Sequence, residues 1–107
     1  MSDNVLTRIR DRMQARRLRR KLTPEARLHV DRMTAEIWSE CRDIGEAEIV
    51  TQKTMEMQGA RLGFDPMTIM MIVQLAILIY KALKHFGVLQ PTPEFIAAMF
   101  ESEGDDQ

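Results

Sequence analysis

Apolar residues recur along this chain at helical spacing. Between residues 24 and 44, Val30, Met33, Ile37, Cys41 and Ile44 follow one another at intervals of 3, 4, 4 and 3, which lines one face of an α-helix. Ala26 and Trp38 widen that face. Between 46 and 62 the pattern is weaker, with Val50, Thr54 and Met57 on one side and Met55 and Leu62 on another. A short stretch near the end carries Phe95, Ile96, Met99 and Phe100. The most apolar stretch is "PMTIMMIVQLAILIY", fifteen residues without a charge between Asp65 and Lys81. No sustained alternation of polar and apolar residues is present. Only "EIVTQKT" (48–54) would suit a strand, and its neighbours favour helix.

The breakers divide these stretches. Thr23-Pro24-Glu25 and Thr92-Pro93-Glu94 repeat one starting signal. In it Thr caps the N-terminus, Pro fits the first turn, and Glu faces the positive end of the helix dipole. Asp65-Pro66 repeats it with Asp as the cap. Gly45, Gly63 and Gly87 stand where helices are expected to stop, because Gly accepts the left-handed conformation past a last turn. Five helices follow, at about 3–22, 24–44, 46–62, 66–86 and 93–102. The expected fold is all-α: a small bundle of about five helices around one strongly apolar central helix (66–86). Its parts are a basic amphipathic helical arm (1–22), a helical core (23–102) and an acidic tail (103–107).

A helix over 66–86 has 21 residues and would measure about 31 Å, close to the ~30 Å hydrocarbon core of a bilayer. Three features favour burial in protein over a span. The uncharged run is short, Gln74 lies near its middle, and Lys81, Lys84 and His85 share one side with Gln74. The first half is apolar all round and needs cover on every side, from the chain itself or from neighbours. The nine Met include Met55, Met57, Met67, Met70 and Met71 around the start of this helix, and Met suits interfaces that must adapt. Met67, Met70, Met71, Gln74, Trp38, Phe95 and Phe100 are therefore the expected partner interface.

Charge changes the picture at the ends. The chain has 107 residues, enough for one domain, and a net charge of −1. Residues 1–22 nevertheless hold eight basic residues against Asp3 and Asp11, whereas 94–107 hold five acidic residues and no basic one. Arg8, Arg12, Arg16 and Arg20 recur every fourth residue, and Arg17 and Arg19 broaden the stripe. Ile9, Met13, Leu18 and Leu22 supply a partial apolar face. Guanidinium forks suit phosphates, and no aromatic residue in the arm offers a base a stacking surface. Contact with a nucleic acid would therefore run through its backbone phosphates. Pairing with acidic residues of the second and third helices, or lying on anionic lipid, would use the same charges.

Catalytic chemistry is not legible. His29 and His85 fall in different helices, and Glu25, four residues before His29, makes one pair rather than a metal site. Cys41 is the single cysteine, on an apolar face, and reads as an inert thiol in a reducing compartment. "GARLG" (59–63) lacks the Lys-Ser/Thr of a phosphate loop. "MSDNVLTRIRDRMQ" has no apolar core and no small-residue cleavage site, so no secretory signal is expected. The expectation is a non-enzymatic structural or assembly protein without cofactor or metal. It would be a subunit of a larger complex or a homo-oligomer, in the cytoplasm or within a macromolecular particle such as a virus or phage. The alternative is a membrane-associated protein with helix 66–86 in the bilayer and the basic arm on anionic lipid.

Overall fold

Local side-chain oxygens start four of the helices. Thr23 Oγ1 accepts from the Ala26 N–H at 3.1 Å, Asp43 Oδ2 from Glu46 at 2.9 Å, Asp65 Oδ1 from Thr68 at 2.8 Å and Thr92 Oγ1 from Phe95 at 3.0 Å. Each bond satisfies an N–H that has no carbonyl partner within its helix. The same Thr68 bond holds the Asp65 carboxyl below its ordinary value.

The computed structural model describes residues 5–101, arranged as α1 (Val5–Lys21), α2 (Pro24–Cys41), α3 (Ile44–Gln58), α4 (Pro66–Phe86) and α5 (Pro93–Glu101). The fold is an all-α bundle, with no strand among the described residues. Residues 48–54 are helical. The expected acidic tail (103–107) and the first residues of the arm lie outside the described residues.

Of the three expected glycine stops only Gly87 ends its helix, because α3 stops at Gln58, short of the expected 62, with Gly59 as its cap. Gly87 is left-handed (φ +70°), and the Gly87 and Val88 N–H groups return to the Lys84 and Leu83 carbonyls at 3.1 and 3.0 Å. That pair of bonds is a Schellman motif. Gly63 (φ +87°) closes the turns after α3. Gly45 instead lies in the first turn of α3, and α2 stops at Arg42, which takes φ +52° itself. Gly59 serves a different need. A Cβ there would come within 2.6 Å of Ile69 Cδ1 and 2.9 Å of its Cγ1, so a larger residue would have to push the Ile69 side chain aside where the end of α3 approaches the start of α4.

The core lies around α4, against which α1, α2 and α3 pack, while α5 lies on α2 and α1. Ile72, Leu75, Ala76, Ile79, Tyr80 and Leu83 are fully buried. They face Val30, Met33 and Trp38 of α2, Ala47, Thr51 and Met55 of α3, and Ala15, Leu18 and Leu22 from α1 and its end. The radius of gyration is 13.1 Å, and a compact domain of this length is expected at about 13 Å. Among the described helices α4 alone is long and apolar enough to cross a membrane. Its most apolar stripe is nevertheless covered by the chain's own side chains.

The chain's own helices cover α4 on one side, whereas Met67 and Met70 are 63% and 56% exposed and lie on the same outer stripe as Gln74 and Lys81. One expectation about packing changes. In α3 the inward line is Ala47, Thr51 and Met55, while Val50 and Met57 face outward. Thr51 is tolerated there because its Oγ1 shares a hydrogen bond of 2.6 Å with the Tyr80 hydroxyl, so neither buried oxygen is left unsatisfied.

Tyr80 gives this pairing a pH signature. Burial pushes its phenol up to about 12, against a weaker downward pull from the Thr51 hydrogen bond. Below pH 10 both folded and unfolded chains keep the proton. As pH rises from 10 towards about 12 the unfolded chain ionises first. Stability is therefore lost over that window, by up to about 1.4 kcal/mol per pH unit and about 2–3 kcal/mol in all. Tyr80 is the only tyrosine, so an ultraviolet titration of the phenolate reads it alone. A midpoint near that of free tyrosine would contradict the burial.

Candidate anion-binding face and groove

The arm is part of the bundle. Ala15, Leu18 and Leu22 seat α1 against the core, and Arg19 lies with them, 3% exposed. Its Nη1 and Nη2 donate to Asp31 Oδ1 and Oδ2 at 2.7 and 3.1 Å, and its guanidinium sits 6.0 Å from the centre of the Phe100 ring. Arg19 is thus withdrawn from the expected anion-binding set. A guanidinium locked between α1 and α2 by a buried carboxylate cannot also meet a phosphate. Arg27 closes this corner by donating to the Arg19 and Leu22 carbonyls at 2.8 and 3.0 Å, which satisfies the end of α1.

The other five candidates stay out of the core. Arg12, Arg17 and Arg20 are exposed and Arg8 and Arg16 half-buried. Arg10 and Lys21 join them, although the spacing-by-four rule passed over both. Leu6, Ile9 and Met13 stand between these charges, 72%, 50% and 51% exposed. The outward face of α1 is therefore basic with an apolar ridge.

Beside it runs a groove of about 780 Å³, walled by the first half of α1, the last turns of α4, and α5, with Ile44 at the start of α3. Leu78, Ala82, Phe86, Met99 and Phe100 form its apolar surface. Arg8 and Arg12 enter from α1, and Lys81, Lys84 and His85 from α4. Among the described residues Asp11 is the one acidic residue lining it. Among the described residues Arg8, Arg12, Lys81 and Lys84 have no ion-pair partner. Two basic runs that are about seventy residues apart in sequence thus share one recess. Folding supplies that juxtaposition, and the sequence pattern does not display it.

The expected partner interface separates into two groups. Met67, Met70, Gln74 and Phe95 are exposed, and Met71 is half-buried. Trp38 and Phe100 are instead core residues, 2% and 5% exposed. The Trp38 ring stacks on Tyr80 at 5.6 Å and 19°, and its Nε1–H donates to the Val88 carbonyl at 2.9 Å. Their size made them look like docking aromatics. The interior of a small bundle uses them first.

The remaining titratable groups point to inert surroundings. Burial and the nearby carboxylates of Glu46, Glu40 and Asp43 raise the Cys41 thiol, which suppresses the reactive thiolate. Cys41 is half-buried, so charge as well as cover keeps it unreactive. His29 is held below its ordinary value by desolvation, with its ring 5.7 Å from Phe64. Among the described residues no group of three or more His, Cys, Asp or Glu is arranged to hold a metal ion. Comparison with protein-family models, with curated proteins and with solved structures finds no match for this chain.

Proposed function

We propose that this chain is a non-enzymatic interaction protein, a subunit of a larger assembly that meets an anionic polymer through the outer face of α1. The observation that carries this reading is the fate of the arginines. One is consumed by the core, and Arg10, Arg12, Arg17 and Arg20 are left exposed along a single helix anchored at Ala15 and Leu18. A row of guanidiniums on a rigid support meets successive phosphates without first ordering a flexible arm. Binding to duplex DNA or RNA is expected to weaken with salt, by about 0.9 in the logarithmic slope for each phosphate neutralised. Replacing Arg17 and Arg20 together by alanine is expected to lower that slope by about 2, uniformly across sequences. Binding without salt dependence, or unaltered by the double substitution, would contradict the proposal.

A second reading rests on Leu6, Ile9 and Met13, which stand exposed among the arginines. A basic helix with an apolar ridge also suits the plane of an anionic membrane surface. Flotation with vesicles of anionic or neutral lipid separates the two, since lying in the plane requires Leu6 and Ile9 whereas phosphate contact does not. Insertion of α4 as a span has less support, because Ile72, Leu75 and Ile79 are buried against protein.

A further inference from the structure

We propose that the groove between α1, the end of α4 and α5 is a binding site for a long-chain fatty acid, with the carboxylate held at its basic rim. This goes beyond the phosphate-binding reading, and only Arg12 serves both. The volume, about 780 Å³, falls in the range of about 300–1,000 Å³ usual for small-molecule sites. A nucleic acid would answer the charges and leave the apolar floor of Leu78, Ala82 and Phe86 in water. An uncharged lipid would cover the floor and leave the cations unanswered. A fatty acid meets both demands with one molecule.

The cations are grouped to favour an anion. Arg8 and Arg12 lie one turn apart on α1, and Lys81 and Lys84 lie one turn apart on α4. All four line the groove, and among the described residues none has an ion-pair partner. Bringing like charges together is unfavourable unless something neutralises them. Asp11 supplies one negative charge at the rim, and the described residues of the recess are net positive. An arginine fork takes a carboxylate in two parallel hydrogen bonds, and the lysines reach it with flexible ammonium groups. The acyl chain then lies over Ala82 and Phe86 towards Met99 and Phe100. Phe86 is 55% exposed and would be covered by it.

Calorimetric titration of the full chain with oleate, below the concentration at which oleate forms micelles, tests the proposal. One saturable site is expected. Oleyl alcohol, with the same chain and no charge, is expected to bind at least about tenfold more weakly, and acetate not measurably. Lys84→Ala and Arg12→Ala are each expected to weaken oleate binding by about five- to tenfold. Ala82→Trp fills the floor and is expected to abolish oleate binding while leaving salt-dependent DNA binding intact. Should that variant fail to fold by circular dichroism, Phe86→Ser removes chain contact from an exposed position and is expected to weaken oleate binding instead. The Arg17→Ala, Arg20→Ala variant should retain oleate affinity, so loss of polymer binding and loss of oleate binding are distinguishable. No oleate binding, binding only to micelles, or equal affinity for oleate and oleyl alcohol would overturn the proposal.

Discussion

Replacing Asp31 by alanine is expected to destabilise the fold by about 3–5 kcal/mol, a large share of the stability of a domain this small. Asp31 is 4% exposed and Arg19 3%. The carboxylate accepts from both terminal nitrogens of the guanidinium, at 2.7 and 3.1 Å. Removing it leaves a charged group in the interior with its main counter-charge gone, and the desolvation penalty falls on the folded state alone. Arg19→Ala should cost a similar amount by stranding the carboxylate. The double change Arg19→Met with Asp31→Leu removes both charges and keeps the volume, and is expected to lie within about 2 kcal/mol of the parent. Arg20→Ala, one residue away and exposed, is expected to change stability by less than about 0.5 kcal/mol. Urea unfolding midpoints for the four variants check this. Equal, small effects of Arg19→Ala and Arg20→Ala would place Arg19 at the surface after all.

Trp38→Ala is expected to cost about 3–5 kcal/mol. The side chain is 2% exposed, stacked on Tyr80, and its indole N–H holds the Val88 carbonyl just beyond α4. Truncation opens a cavity between α2 and α4 and removes the donor that fixes the turn after α4. Trp38→Phe keeps an aromatic ring against Tyr80 and loses the donor, so about 1–2 kcal/mol is expected. Chemical unfolding of the isolated chain measures both. A residue that served only a partner would behave in the opposite way. Its truncation would leave the isolated chain's stability within about 0.5 kcal/mol and would weaken association.

What the sequence makes legible is what local chemistry decides. Thr23, Asp65 and Thr92 act as caps because a short polar side chain before Pro satisfies the first turn whatever surrounds it. The burial of α4 follows from a run too apolar to leave in water and interrupted by Gln74 on one side. Arg19 was hidden by its neighbours. In a run with Arg16, Arg17 and Arg20 it reads as one more surface charge, yet it shares helical register with Ala15, Leu18 and Leu22. That i, i+3, i+4, i+7 pattern was the available signal, and only the position of Asp31 on another helix explains why a charge fits it. Thr51 has the same history: its register with Ala47 and Met55 points inward, and its partner, Tyr80, is twenty-nine residues away. The groove has no one-dimensional signature at all, because its walls come from α1, α4, α5 and the start of α3 and meet only when α4 is covered.

Everything proposed for the basic face and the groove depends on α4 being covered by its own chain. Residue-resolved amide hydrogen exchange, in buffer and again in detergent micelles, tests this most directly. Amides from Ile72 to Leu83 are expected to exchange only through global unfolding in buffer, with protection unchanged by detergent. Rapid exchange in buffer, with protection gained only in micelles, would show that lipid rather than α1, α2 and α3 covers this helix.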